Sequence, residues 1–129
     1  MLTDMRRAVA ELLRGQQFGE VYEYVPSDVA AYPCIVVGRP GARPSDEATV
    51  VFNIFLDVYV CGRPQSDDAQ EELDKTADAV WQTFGGTRTR RSGELVLSVT
   101  EVVASVIALA GNQNIPAYEL TVESAITTC

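Results

Sequence analysis

The sequence predicts an α+β fold, in which two α-helices pack on one face of an antiparallel or mixed β-sheet. Two amphipathic segments have helical period, and several runs are rich in strand-forming residues. These segments do not alternate regularly along the chain, as they do in parallel α/β folds. The length of 129 residues, with 47% apolar and 22% charged residues, suits one domain spanning residues 1–129.

The first helix is predicted over Thr3–Arg14. Its apolar residues recur at helical spacing, Thr3 can serve as the N-cap, and Gly15 stands where a left-handed residue commonly ends a helix. Two short strands are predicted next, over Val21–Val25 and Cys34–Val37, because both runs are rich in strand formers and are bounded by proline or glycine.

The segment from Arg39 to Ala48 is predicted to be a mobile loop. It contains prolines, glycine, serine and aspartate, which favour turns, and it is long for a hairpin connection. We therefore expect that this segment does not sit in the sheet, and that it orders when a neighbouring molecule contacts it.

A long strand is predicted over Thr49–Val60. One face of it is wholly apolar, whereas the other mixes apolar residues with Asn53 and Asp57. At about 3.3 Å per residue such a strand reaches about 40 Å, so it crosses the whole domain or projects from it, and its mixed face could meet another subunit. The stretch is too short and too polar to span a bilayer, so no membrane partner is expected.

The main helix is predicted over Asp67–Phe84, where an apolar stripe follows helical spacing and a pair of glycines forms the stop. A polar and basic turn over Thr87–Arg91 comes next. Two more strands are predicted over Leu95–Val106 and Ala117–Ile126, and the alternation in the last one indicates a sheet with one covered face.

Composition argues against several functions. The net charge of −8 has the wrong sign for a protein that grips phosphates, so sequence-specific nucleic-acid binding is not expected. Histidine is absent, which removes the commonest general base and transition-metal ligand. Cys34, Cys61 and Cys129 form no C-x-x-C pair and are predicted to be free thiols. We therefore expect no enzyme activity, metal or cofactor.

Charged residues are the candidate interface. Acidic residues crowd the main helix beside one cation, Lys75; they are Asp67, Asp68, Glu71, Glu72, Asp74 and Asp78. The basic candidates are Arg88, Arg90 and Arg91 in the turn, with Arg39 and Arg43 in the predicted loop. Opposite charges on two patches suit contacts between copies. The acidic set is also typical of a solvated helix face, and the arginines could instead contact phosphates.

The order and spacing of these segments resemble the tail terminator proteins of long-tailed bacteriophages, the family that includes the minor tail protein U of lambda-like phages. The resemblance covers nearly the whole chain. It is carried by the following segments: the opening helix Thr3–Arg14, the run Tyr32–Val37, the long strand Thr49–Val60, the helix Asp67–Phe84 and the closing strand Tyr118–Val122.

The resemblance implies a ring, with six copies as the expected number, that caps the tail tube and stops its polymerisation. The implied partners are further copies of the chain, the tail tube protein and a head-tail connector or stopper, and DNA passes through the ring without sequence-specific binding. The implied location is the virion, at the junction of tail and neck, after assembly in the host cytoplasm. Such a protein has no catalytic site.

Three alternatives stay open. Another neck or tail component, such as a stopper or a tube subunit, would differ in copy number per particle. A small-molecule binding module could use the face that carries Tyr22, Tyr24 and Tyr59, and would be stabilised by its ligand. An enzyme could act through carboxylates alone, although nothing in the sequence places two of them in an apolar pocket.

Overall fold

The computed structural model describes residues 2–16, 18, 20–24, 33–44, 50–62, 67–86, 90–92, 95–109 and 113–127. Within these ranges the chain forms two helices and a mixed sheet, which confirms the predicted α+β class. The elements in chain order are α1 Leu2–Arg14, β1 Glu20–Tyr22, β2 Cys34–Val37, β3 Gly41–Pro44, β4 Val50–Cys61, α2 Asp67–Thr83, β5 Arg90–Ser92, β6 Leu95–Leu109 and β7 Gln113–Thr127.

The strands lie in the order β1-β2-β4-β7-β6-β5, and β3 pairs with β4 beside β2. β1 and β2 are parallel, whereas every other described pair is antiparallel. The centre of the sheet is formed by β4, β7 and β6, and β7 pairs with β4 on one side and with β6 on the other over most of its length. The predicted long strand is confirmed as β4.

β2 and β3 run along the same side of β4 and are separated by a β-bulge. Val37 pairs with Val58 and Gly41 pairs with Phe55, so three residues lie opposite two at this point. Gly38 occupies the bulge because a Cβ there would come within 2.7 Å of the carbonyl oxygen of Asp57. The backbone N–H of Gly38 donates to that same oxygen at 2.7 Å.

The prediction that the whole segment from Arg39 to Ala48 stays out of the sheet is wrong at β3. The proline at the end of β3 is tolerated because β3 pairs on one side only among the described strands, and an edge strand can do without one N–H. Residues 45–48 lie outside the described part of the chain, and the predicted mobility of the loop stays a prediction.

Both helices pack on one face of the sheet, which we call the helix face, as predicted. The buried residues of this core include Met5, Val9 and Leu13 of α1, Leu73 and Val80 of α2, Phe84 just after α2, and Ile54, Leu56, Val58 and Val60 of β4. The apolar face of the long strand therefore lies under the helices. The opposite side of the sheet is called the outer face below.

The glycine pair ends α2 as predicted. Gly85 and Gly86 have positive φ angles of 93° and 61°. The N–H of Gly86 donates to the carbonyl of Trp81 and that of Gly85 to the carbonyl of Gln82, both at 3.0 Å. These two bonds form a Schellman motif, which satisfies carbonyls that the helix end would leave without partners.

Candidate assembly surface

β6 has one unpaired edge. Its other edge pairs with β7, while β5 covers only the first residues of β6, Leu95–Leu97. From Ser98 to Leu109, no described strand lies on the free side. A strand edge in this state presents a row of N–H and C=O groups that can pair with another chain.

A bulge sets which residues of β6 face the helix side. Val99 pairs with Val122 and Glu101 pairs with Thr121, so Thr100 is the extra residue. Because a one-residue shift exchanges the two faces of a strand, Glu101 lies on the outer face and Val102 returns to the helix face.

The free part of β6 exposes apolar side chains on both faces. Val102 is 38% exposed and Val106 is 63% exposed on the helix face, and Val103 is 39% exposed on the outer face. The residue opposite Val102 is Leu120 of β7, which is fully buried. The helices thus cover β7 and the first residues of β6, up to Val99, but leave Val102 and Val106 in solvent.

Apart from the bulge at Thr100 and the charge of Glu101, this edge lacks the protection that exposed edges usually carry. Between Ser98 and Leu109 the only charged residue is Glu101, and the segment contains no lysine or proline. Natural proteins normally shorten such an edge, place charges on it or cover it. The free edge of β6, defined as Ser98–Leu109 with its exposed valines, is therefore the candidate assembly surface.

The outer face next to this edge carries a cavity of about 820 Å³. Charged and aromatic side chains line it, among them Arg6, Arg39, Asp57, Glu119, Tyr24 and Tyr59. Arg6 donates to the carbonyl of Gly38 at 3.3 Å and lies over the ring of Tyr24, 4.4 Å from its centroid. β6 supplies part of the wall through Ser105 and Ile107.

Two carboxyl groups meet on the floor of this cavity. Partial burial raises the pKa of Glu119, and the negative charges of Asp57 and Glu101 raise it further. Asp57 accepts a hydrogen bond from the hydroxyl of Thr121 at 3.0 Å. The outer face beside β6 therefore carries charged side chains of both signs, in contrast to the apolar helix face.

The predicted acidic residues whose side chains the structure describes lie on the exposed side of α2. Glu71, Glu72 and Asp74 are exposed, and Glu71 pairs with Lys75 at 3.2 Å. Asp74 accepts a hydrogen bond from the hydroxyl of Tyr118 at 2.6 Å. Asp67 and Asp68 lie in the first turn of α2, with side chains outside the described part.

The predicted basic turn is partly a strand. Arg90 and Arg91 belong to β5, where they pair with Leu97 and Val96 at the start of β6. They were predicted in a turn because the polar, basic segment 87–91 has no apolar alternation, and the pairing with β6 overrides that local signal. Arg88 lies outside the described residues.

Arg43 lies in β3 and Arg39 lies between β2 and β3, so the β4–β7 pair separates both residues from β5. Arg39 is exposed and lines the cavity. Arg43 forms an ion pair with Glu123 and stacks over the ring of Phe55, 4.8 Å from its centroid, so its charge is already compensated within the chain. The structure therefore separates Arg39 and Arg43 from Arg90 and Arg91.

The valines on the free edge of β6 were not among the predicted interface residues. Their signal was present in the sequence. Val102 with Val103, and Val106 with Ile107, break the alternation that a strand with one covered face should have. Neighbouring apolar residues of this kind place apolar side chains on both faces of a strand, which a small domain does not cover.

No family model matches the chain, and no curated protein matches it. No described helix is long and apolar enough to cross a membrane. In the part of the chain that the structure describes, no group of three or more cysteine, aspartate or glutamate side chains is placed to hold a metal ion.

Proposed function

We propose that this chain is a structural protein of a bacteriophage tail. In this proposal it forms a ring, with six copies as the expected number, that caps the tail tube, stops its polymerisation and joins it to the head-side connector. The observation that carries the proposal is the free apolar edge of β6. The resemblance of the element order to tail terminator proteins is the reason for proposing a tail terminator ring rather than another assembly.

A neighbouring strand placed on this edge would satisfy two requirements at once. It would pair with the free backbone groups from Ser98 to Leu109, and it would shield valines that the chain itself leaves in solvent. Complete burial of one valine side chain contributes about 1.5 kcal/mol. Contacts of this kind favour a permanent assembly over a transient encounter.

A closed ring needs two different patches on each copy, because its contacts run head to tail. β3 and the free edge of β6 lie on opposite sides of the β4–β7 pair. The β3 side carries the exposed Arg39, whereas the β6 edge carries Glu101. In our proposal the β6 edge of one copy contacts the β3 side of the next, and these opposite charges favour that orientation.

The overall charge of −8 also suits a conduit for DNA. Phosphates are repelled by a wall of like charge, so DNA can pass without lasting contacts. No catalytic step is part of this function.

The test is the mass and shape of the particles that the purified chain forms, alone and with the tail tube subunit of the same phage. Light scattering after size exclusion and negative-stain microscopy are expected to give closed rings of about six copies. Val102→Lys with Val106→Lys places two charges on the free edge and is expected to abolish the rings.

Leu2→Lys is the matched control, because Leu2 is an exposed apolar residue of α1, 42% exposed and away from β6. This variant is expected to assemble like the unchanged chain. Rings that survive the double lysine variant would contradict the role of the β6 edge. A chain that remains monomeric with tube subunits present would contradict the ring itself.

Tube length separates a terminator from a tube subunit. A terminator is expected to add one ring to each growing tube and to stop its lengthening. A chain that instead stacks into tubes by itself would be a tube subunit, which is the alternative within the same particle.

A small-molecule binding module is the second candidate, because the structure brings Tyr24 and Tyr59 into one cavity with Arg6 and Glu119. Tyr22 packs instead beside the buried residues at the β1–β2 end of the outer face. A binding module would stay monomeric, and its thermal unfolding midpoint would rise with one compound from a panel of small molecules. The ring is expected to show no such shift.

A further inference from the structure

Cys34 and Cys61 are far apart in the sequence but directly opposite in the sheet. Cys34 of β2 pairs in register with Cys61 of β4, and the two strands are antiparallel. Both are free thiols and both are fully buried. The third cysteine, Cys129, lies outside the described residues.

The spacing of the two positions suits a covalent bond. Residues directly opposite in an antiparallel pair have Cα atoms about 4.5 to 5.5 Å apart, and their side chains project from the same face. A disulfide spans Cα separations of about 4.4 to 6.8 Å. A bond between Cys34 and Cys61 therefore needs no change in strand register.

The surroundings of the pair are apolar. Buried residues of the outer face, Val36, Ile115 and Ala117, form a cluster with the two cysteines, and Tyr22 and Tyr59 pack against it. Reactive groups in such a cluster are shielded from bulk solvent. A bond formed here would be shielded from reductants in the same way.

The two thiols are chemically unequal. The proximity of Cys61 lowers the pKa of Cys34, whereas the proximity of Cys34 together with burial raises the pKa of Cys61. The Cys61 thiol donates to the carbonyl of Tyr59 at 3.9 Å. Cys34 is therefore the better nucleophile, and Cys61 holds its proton until the second step.

We propose that Cys34 and Cys61 are a redox-sensitive pair, which a low-molecular-weight disulfide converts into a cross-strand disulfide between β2 and β4. In the first step the Cys34 thiolate attacks one sulfur of the small disulfide, forms a mixed disulfide and releases one small thiolate. The Cys61 thiol then loses its proton, and its sulfur attacks Cys34 Sγ and releases the second small thiolate. Two protein thiols are oxidised, one small disulfide is reduced to two thiols, and the two protons pass to the released thiolates.

Burial of the two thiols limits the rate of this reaction. The oxidant reaches Cys34 only when β2 separates transiently from its neighbours, so oxidation is slower than at an exposed thiol. Once formed, the bond closes the loop between residues 34 and 61 and restricts the unfolded chain. The oxidised protein is therefore expected to be the more stable form.

The experiment uses the full-length chain with Cys129→Ser, so that the opposed pair supplies all the thiols. The protein is incubated at neutral pH with oxidised glutathione, unfolded under alkylating conditions and cleaved by a protease that cuts before aspartate. Cleavage before Asp28, Asp46, Asp57 and Asp67 places the two cysteines in separate peptides.

The proposal predicts one covalent pair of peptides, 28–45 joined to 57–66, that separates on reduction. It also predicts that no free thiol remains and that the thermal unfolding midpoint rises by about 5 to 15 °C. Cys61→Ala in the same background is the control and is expected to give at most a mixed disulfide with glutathione. The proposal is overturned if the folded pair stays reduced or stops at mixed disulfides, while the urea-unfolded chain forms the bond.

Discussion

β4 and β6 are both long strands of one sheet, yet their surroundings differ. β4 has strands on both sides, and its described side chains on the helix face, Ile54, Leu56, Val58 and Val60, are fully buried. β6 has a free edge beyond Leu97, and Val102 and Val106 are exposed on the same face. The chain builds more sheet than its two helices can cover. The uncovered part is the part available for other molecules.

The boundary between the covered and the uncovered part of the sheet lies between β7 and β6, at two residues that are paired in register. Leu120 of β7 and Val102 of β6 are register partners on the helix face. Leu120 is fully buried, whereas Val102 is 38% exposed. The covered sheet therefore supplies the stability of the single chain, whereas the uncovered strand is available for the contacts between copies that we propose.

The largest expected effect is the loss of stability on truncating the buried partner. Leu120→Ala leaves a cavity under the helices and is expected to lower the free energy of unfolding by about 2 to 5 kcal/mol. Val102→Ala removes a side chain already in contact with water and is expected to change it by about 0.5 kcal/mol or less. Urea unfolding of the dilute, unassembled chain measures the change in the free energy of unfolding for both variants. Equal losses would mean that β6 is covered as well as β7.

A smaller effect is expected where α2 reaches the last covered strand. Tyr118→Phe removes the hydrogen bond from the tyrosine hydroxyl to Asp74 and is expected to lower the free energy of unfolding by about 0.5 to 1 kcal/mol. That hydrogen bond raises the pKa of Tyr118 above its ordinary value of 10.0. Its contribution is therefore complete below pH 10 and is lost as the pH rises through the folded-state value.

Urea unfolding at pH 7 and at pH 11 checks this prediction. Tyr24→Phe is the matched control, because it keeps the exposed ring over which Arg6 lies. It is expected to change stability by about 0.3 kcal/mol or less at both pH values. If Tyr118→Phe were equally neutral at pH 7, the hydrogen bond between Tyr118 and Asp74 would contribute nothing to the free energy of unfolding.

The smallest effect concerns the outer face. The folded-state pKa of Glu119 is raised, so the folded chain binds this proton more tightly than the unfolded chain. Stability is then greatest below the ordinary glutamate pKa and falls as the pH rises through the folded-state value. Glu119→Gln removes the charge and is expected to raise the free energy of unfolding at pH 7 by about 0.5 kcal/mol or less.

The free energy of unfolding, measured from pH 4 to pH 8, tests whether the ionisation of Glu119 destabilises the fold. The decline over that window is expected to be shallower in Glu119→Gln than in the unchanged chain. Glu72→Gln, on the exposed side of α2, is the control and is expected to leave the slope as it is. A steeper decline in Glu119→Gln would contradict the unfavourable charge on the outer face.

The sequence predicted most of the fold, since periodicity records which faces are buried. The even-numbered residues of β4 from Ile54 to Val60 and the glycines after α2 are examples, because apolar alternation and left-handed backbone have direct sequence signals. β3 was missed because its proline and glycine indicate a loop when considered alone, and its pairing with β4, the next strand in the chain, overrides that local signal.

The candidate site was predicted less well, because it depends on what the fold leaves uncovered. The charged residues that were predicted to meet between copies lie on separate elements of one chain, with Glu71 on α2, Arg91 on β5 and Arg43 near Glu123. Their contact between copies stays a prediction. The free edge of β6 exists because β5 is short, and the opposition of Cys34 and Cys61 depends on strand register. Neither strand order nor register can be obtained from local composition.

The most direct test of the account is amide hydrogen exchange of β6 in assembled and unassembled protein. The central claim is that the free edge of β6 pairs with another copy. In the assembled protein, the outward-facing amides between Ser98 and Leu109 are expected to exchange about tenfold more slowly than in the dilute monomer, while those of α1 do not change. Unchanged exchange along β6 in assembled protein would contradict the claim, because it would leave the edge unpaired.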